Sequence, residues 1–134
     1  MNQKTKDPLA ELFVDDIKSI NRQIVATFLK PYVVFDRTSK QIGFLPAFEK
    51  IGSNIEKVEI ILLASKALSL LEDGIPDGMT QGQIVSLGVI PEGSVKSTLK
   101  KLFDTKRIKK NKELGYYVPN YRIKEIVEKN PKNK

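Results

Sequence analysis

The stretch that decides the fold is TQGQIVSLGVIPEGSVKSTLKKLFDTKRIKK, residues 80–110. It begins with Thr80-Gln81-Gly82-Gln83, a Thr-x-x-Gln capping box in which the first and fourth side chains satisfy each other's backbone amides. Apolar residues follow at Ile84, Val85 and Leu87, and Gly88 is suited to the position just after a helix. The pattern predicts a short helix over 80–87 and a tight turn over 88–91.

After this turn, the third helix of the C-terminal domain is predicted from about Glu92 to Thr105; the first precedes residue 80 and is described below. Its apolar residues recur at i, i+4, i+7 and i+8, which places them on one side of a helix, at Val95, Leu99, Leu102 and Phe103. The other side is polar and basic, with Ser94, Lys96, Ser97, Thr98, Lys100 and Lys101. We therefore expect an amphipathic helix with a basic outer face.

The segment after this helix predicts a basic β-hairpin over 107–118. Two short β-like runs flank a turn at Glu113-Leu114-Gly115, and the first run is mostly lysine and arginine. Pro119 ends the second strand, and Asn120 can cap a last helix with the apolar stripe Ile123, Ile126 and Val127. Residues 131–134 are predicted to be a frayed tail.

The segment before residue 80 predicts a buried helix. Ser53-Asn54-Ile55-Glu56 is a second capping box, and the run from Ile55 to Glu72 contains neither glycine nor proline. Apolar residues cover most of its circumference, so we expect this helix to lie at the centre of the domain.

The N-terminal third predicts a long helix followed by a hairpin. Asp7-Pro8 favours a helix start, and an apolar stripe continues through Leu9, Phe13, Ile17, Ile20, Ile24 and Phe28. A helix over 8–29 would be roughly 33 Å long, so the stripe from Phe13 to Phe28 either forms a homodimer contact or packs on the protein's own core. Residues 32–35 and 41–45 read as two strands of a hairpin, or equally as an irregular loop.

The composition excludes several kinds of chemistry. The 134 residues include neither cysteine nor histidine, which excludes disulfides, thiolate metal sites and Ser/His/Asp or Cys/His catalysis. Carboxylate chemistry stays formally open, but Asp15 and Asp16 point about 100° apart on a helix. The acids at 72, 73 and 77 could bind a cation weakly, but solubility explains them better. We expect no enzyme, metal or cofactor.

The net charge of +7 is concentrated at one end of the chain. Residues 1–52 contain 8 basic and 6 acidic groups, residues 53–90 contain 2 and 5, and residues 91–134 contain 13 and 5. A basic block of this kind is typical of a polyanion-binding surface, although a lysine-rich solubility surface would look the same. No apolar run is long enough to span a membrane, and the polar start predicts that the protein is not exported. We expect a cytoplasmic protein, associated with the nucleoid if the basic block binds DNA.

Along the chain, these elements follow one another in this order: a buried helix, a short capped helix, a turn, a basic helix and a basic hairpin. Residues 55–129, approximately, resemble the winged helix-turn-helix superfamily of bacterial and archaeal regulators, including the MarR-like and ArsR-like groups. The resemblance rests on this order of elements, on the pattern "gSVkstLkkL" at 93–102 and on the sequence "GYYVPNY" that closes the hairpin. The predicted fold class is mainly α with small β (α+β), with an N-terminal extension over 1–52, a winged domain over 53–130 and a tail over 131–134.

The resemblance implies a recognition helix at 92–105, a wing at 107–118, and double-stranded DNA as the partner of a transcriptional regulator that acts as a homodimer. The predicted DNA-binding residues are Ser94, Lys96, Ser97, Thr98, Lys100, Lys101, Arg107, Lys109, Lys110, Lys112 and Tyr116, and the predicted dimer contacts are Phe13, Ile17, Ile20, Ile24 and Phe28. The proposed recognition helix lacks Arg, Asn and Gln, so base recognition would be modest or would depend on DNA shape and water. The alternative function is a winged-helix module that binds protein.

Overall fold

The structure, a computed structural model, describes residues 8–12 and 21–128, which form an α+β arrangement with two separate antiparallel hairpins. Its α-helices are α1 Arg22–Leu29, α2 Pro46–Glu49, α3 Asn54–Leu71, α4 Gln81–Ser86, α5 Glu92–Asp104 and α6 Ile123–Glu128. Its strands are β1 Val33–Phe35, β2 Ile42–Phe44, β3 Lys109–Asn111 and β4 Gly115–Tyr117, and short 3-10 helices span Pro8–Leu12 and Asn120–Arg122.

The central element is α3, as the apolar run of residues 55–72 predicts. The Ser53 hydroxyl accepts a hydrogen bond from the Glu56 amide at 3.3 Å and caps the helix. Ten of its eighteen residues are buried, including every residue from Val58 to Lys66. Because α3 is covered on nearly all sides, it supplies the core against which the other helices pack.

The predicted capping box at the start of α4 is confirmed. The Thr80 hydroxyl accepts from the Gln83 amide at 3.1 Å, and the Gln83 side chain accepts from the Thr80 amide at 2.8 Å. Gly88 follows the helix with a φ of +71°, a left-handed conformation that glycine adopts without steric cost. The predicted short helix, turn and third helix are therefore all present.

The C-terminal hairpin is extended by one β-bridge to a residue outside it, Met79. Strands β3 and β4 pair with Lys110 opposite Tyr116, and Met79 pairs with Tyr116 on the outer side of β4. The two backbone hydrogen bonds of this bridge measure 2.9 and 2.7 Å. Gly115 has a φ of +86°, and a Cβ there would overlap the Met79 backbone, so this position requires glycine.

The N-terminal hairpin is confirmed, with Val33 opposite Phe44, but the predicted continuous helix over 8–29 is wrong. Pro8–Leu12 is a 3-10 helix, and α1 begins only at Arg22. The reason lies at Asn21, whose backbone is extended and whose side chain accepts from the Ile24 amide at 3.1 Å. Asparagine is among the strongest N-caps, so it starts a new helix where the apolar spacing alone predicts continuity.

One face of α1 packs within the chain's own core. Val25, Phe28 and Leu29 are buried in the same apolar cluster as α3 and α6. The short helix α2, which the sequence analysis missed, adds the fully buried Phe48 to this cluster. Within the described residues, none of the helices is both long and apolar enough to cross a membrane.

Candidate nucleic-acid interface

The buried side of α5 fixes the direction of its outer face. Val95, Leu99 and Leu102 are almost completely buried, and α5 packs on both α3 and α4. Leucine and valine at these positions lock the rotation of the helix, because any turn about its axis would expose them. The opposite face, which includes Lys96, Ser97, Lys100 and Lys101, is exposed.

Two predicted orientations on α5 are wrong. Thr98, predicted to face DNA, is only 7% exposed, because it lies three residues after Val95 and four before Leu102, on the buried face. Phe103, predicted to anchor the helix in the core, is 46% exposed. It lies at i+4 from Leu99 but also at i+7 from Lys96, at the border between the apolar and the lysine stripes, so the spacing alone does not place it in the core.

The polar side chains of the outer face have few partners within the helix. The Ser97 hydroxyl donates to the Ser94 carbonyl at 3.2 Å, and Ser94 itself is half-buried. The Lys100 ammonium pairs with the Asp104 carboxylate at 2.9 Å, an interaction that raises the pKa of Lys100. Lys96 and Lys101 have no described carboxylate partner, and they are the free cations of this face.

The hairpin lysines lie against aromatic rings. The Lys110 ammonium is 5.3 Å from the centroid of the Tyr116 ring, and the Lys109 ammonium is 5.5 Å from that of Tyr121. The contact with Tyr121 raises the pKa of Lys109. Lys112, in the turn, is exposed. Cation–π contacts of this length orient a lysine while its ammonium stays accessible to solvent.

Arg107, predicted to contact phosphate, faces a carboxylate of the core instead. Its guanidinium is 2.9 Å from the Glu59 carboxylate of α3, and the Glu59 side chain is 2% exposed. The arginine side chain is 35% exposed, so it joins the start of the hairpin to the central helix at the protein surface. We therefore assign Arg107 a primarily structural role.

Both hairpin tyrosines are half-buried, and each contacts a different part of the chain. The Tyr116 ring meets the Phe103 ring edge to face, with centroids 6.5 Å apart and planes at 81°. The Tyr117 ring lies 5.8 Å from the ammonium of Lys66. Tyr116, predicted to contact DNA, therefore also joins the hairpin to α5 through Phe103, a contact that the sequence analysis did not foresee.

The residues predicted to form a dimer contact are divided by the structure. Phe28 is 6% exposed and belongs to the core of its own chain, so its prediction as a contact residue is wrong. Ile24 is exposed, and Phe13, Ile17 and Ile20 lie outside the described residues. On another side of α1, an open apolar cleft of about 450 Å³ lies between α1, β1 and the end of α3, and Arg22 and Lys30 are among its lining residues.

Two of the three acids considered for cation binding are paired with lysines. Glu72 pairs with Lys40 at 3.2 Å, and Asp77 pairs with Lys66 at 3.0 Å. In the part of the chain that the structure describes, no three acidic residues lie close enough together to hold a metal ion. The candidate site is therefore the cationic surface of α5 and the hairpin.

This surface is the most basic part of the fold, since residues 92–113 contain eight basic and three acidic groups. Its geometry rests on buried apolar residues, one ion pair with α3 and the bridge through Met79. The chain itself matches no protein-family model, no curated protein and no solved structure.

Proposed function

We propose that residues 54–128 form a winged helix-turn-helix domain that binds double-stranded DNA, with α5 as the recognition helix and the β3–β4 hairpin as the wing. The proposed biological role is transcriptional regulation, in the cytoplasm and associated with the nucleoid.

The order and pairing of the elements support the fold assignment. Helix α3 leads through Met79 to α4, a tight turn, α5 and the hairpin. Met79 pairs with β4, which pairs with β3, so the three extended segments lie in the order Met79, β4, β3. A helix-turn-helix followed by a hairpin that pairs back to the segment before its first helix is the arrangement expected of a winged domain.

The single observation that carries the proposal is the cationic outer face shared by α5 and the hairpin. Lys96 and Lys101 on the helix, and Lys110 and Lys112 on the hairpin, are all exposed. Neutralising phosphates with such side chains releases condensed counterions, which supplies most of the affinity of non-specific DNA binding. The apolar residues beneath α5 are buried, so the face is rigid before DNA arrives.

The dimensions and chemistry of α5 suit a major groove. Its thirteen residues make a helix of roughly 20 Å, and the groove is about 12 Å wide. Ser97 is the exposed hydroxyl on the outer face, and Ser94 is half-buried beside it. Hydroxyls bond to several bases without strong discrimination, so we expect DNA shape and bridging water to contribute to specificity.

A salt series of binding to a labelled duplex of arbitrary sequence tests the proposal. The variant Lys96→Ala/Lys101→Ala should weaken binding and flatten the plot of log affinity against log salt by about 1.8, since each lost phosphate contact contributes about 0.9. The control variant Lys30→Ala/Lys124→Ala removes two exposed lysines from α1 and α6 and should leave the slope unchanged. Absence of duplex binding by the wild type at low salt would overturn the proposal and direct attention to protein partners.

Homodimerisation is a separate part of the proposal. Two copies would present two α5 helices to major grooves about 34 Å apart. Ile24 is the predicted contact that the structure describes as exposed. Sedimentation analysis should show a dimer that Ile24→Lys weakens, and a wild type that is monomeric at high concentration would refute this part alone.

A further inference from the structure

Two exposed aromatic rings lie beside the proposed wing, one on each of its faces. Lys109 and Lys110 are consecutive residues of β3, so their side chains point to opposite faces of the hairpin. Lys110 contacts Tyr116, whose ring meets Phe103 of α5, and Lys109 contacts Tyr121. Phe103 and Tyr121 are 46% and 48% exposed. The basic surface therefore contains aromatic side chains at the join between helix and hairpin.

Phe103 is explained neither by the core nor by phosphate binding. Its side chain is half in solvent although the residues on the other side of α5 are almost completely buried. It has no hydrogen-bonding group, so it can neither bind a phosphate nor donate to a base edge. The bases of an intact duplex are already stacked on one another, and a ring could reach their faces only by unstacking them.

An unpaired nucleotide next to a duplex has the chemistry that this surface fits. Its base has a free π face that stacks on aromatic side chains, and its phosphate attracts nearby lysines. Around Phe103 the structure provides a second ring, Tyr116, and an ammonium on that ring, Lys110. The Lys96 and Lys100 positions lie on the same stripe of α5 and lead from this aromatic pair toward the N-terminal half of the helix.

We propose that the preferred DNA target is a duplex that continues into a single strand, and that the first unpaired base stacks on Phe103 beside Tyr116 while Lys110 contacts its phosphate. The inference rests on the proposed duplex binding by α5 and adds a preference for a junction. Tyr121 and Lys109 lie on the far face of the hairpin, where they can follow the opposite strand's backbone.

Fluorescence anisotropy with three DNAs tests the preference at one salt concentration. The first DNA is a blunt duplex of about 20 base pairs. The second is the same duplex with a single-stranded thymine overhang of about six nucleotides. The third is a longer blunt duplex that contains at least as many phosphates as the second DNA. The wild type should bind the overhang DNA about fivefold or more tightly than the extended blunt duplex. Equal affinities would overturn the inference.

Substitutions at Phe103 separate stacking from general apolar contact. Phe103→Ala and Phe103→Leu should both abolish the preference for the overhang DNA over the extended blunt duplex, whereas Phe103→Trp should retain it because the π face remains. The control Leu71→Ala alters an exposed apolar residue at the end of α3 and should change nothing. If Phe103→Leu keeps the preference, stacking is not its cause.

A base analogue reports the stacking directly. With 2-aminopurine as the first unpaired base, fluorescence should be quenched by the wild type and by Phe103→Trp, and not by Phe103→Leu. Quenching that persists in Phe103→Leu would also overturn the inference. Failure of the overhang preference with intact blunt-duplex binding refutes only this inference, whereas loss of all duplex binding refutes the proposed function.

Discussion

Replacing Arg107 by leucine should destabilise the protein strongly while having little effect on the salt dependence of DNA binding. The guanidinium lies 2.9 Å from the carboxylate of Glu59, whose side chain is 2% exposed. Removing one partner of a buried ion pair lowers the free energy of unfolding by about 3–5 kcal/mol, because the remaining charge stays in a medium that solvates it poorly. Arg107 is itself about one-third exposed, so water can partly replace it, and we expect a loss of about 2–3 kcal/mol.

Urea denaturation followed by circular dichroism measures this loss. With a slope of roughly 1.5–2 kcal/mol per molar urea for a chain of this size, the midpoint should fall by about 1–2 M at unchanged slope. Lys112→Leu, an exposed lysine of the same hairpin, is the matched control and should shift stability by less than about 0.5 kcal/mol. The double variant Glu59→Leu/Arg107→Leu should recover part of the loss, because the buried carboxylate that faces Arg107 is then removed as well.

The contrary result is equally specific. If Arg107→Leu shifts the midpoint no more than Lys112→Leu does, and instead flattens the salt plot by about 0.9, the arginine is a phosphate contact. The assignment of Arg107 to the core would then be refuted.

Three further predictions concern other features of the described residues. In urea melts, Asp77→Ala should lower the free energy of unfolding by about 1 kcal/mol more than Lys66→Met does, because it leaves a buried lysine whereas Lys66→Met leaves an aspartate that is 32% exposed. A larger loss for Lys66→Met would contradict this. Gly115→Ala should cost about 2 kcal/mol or more and shift the amide resonances of the hairpin in NMR spectra, because its φ is +86°; an unchanged melt would contradict the described turn. Asp104→Asn should raise duplex affinity by about threefold at low salt and less at high salt, measured by anisotropy; no change would mean that the C-terminal half of α5 lies away from phosphates.

The elements that the sequence predicts well are those with signals at both ends. The Ser53 and Thr80 caps locate the starts of α3 and α4 to within a residue or two, because a side chain that bonds to an amide three residues later is a local event. Gly88 and Gly115 likewise mark turns that need a positive φ. These signals do not depend on what the rest of the chain does.

The errors arise where a contact between distant segments decides the outcome. Arg107 and Glu59 are far apart in sequence, and nothing near either residue indicates that they pair. A rotation of one residue step, about 100°, separates Leu102 from Phe103, so an apolar pattern that includes both cannot say which is buried. The bridge through Met79 involves one residue, too short to give any β pattern.

The basic residues of the candidate interface divide between holding the fold and facing solvent, and this division limits how steeply DNA binding can depend on salt. Of the eight basic residues in 92–113, Arg107 and Lys100 have carboxylate partners among the described residues, and the other six have none. If all six contacted phosphates, one protomer would give a slope of about −5.4. A measured slope near −5 or shallower therefore fits one protomer on the DNA, whereas a slope near −10 would require two copies on one site. Measured beside the sedimentation of the free protein, the slope distinguishes a dimer that forms in solution from two protomers that assemble on DNA.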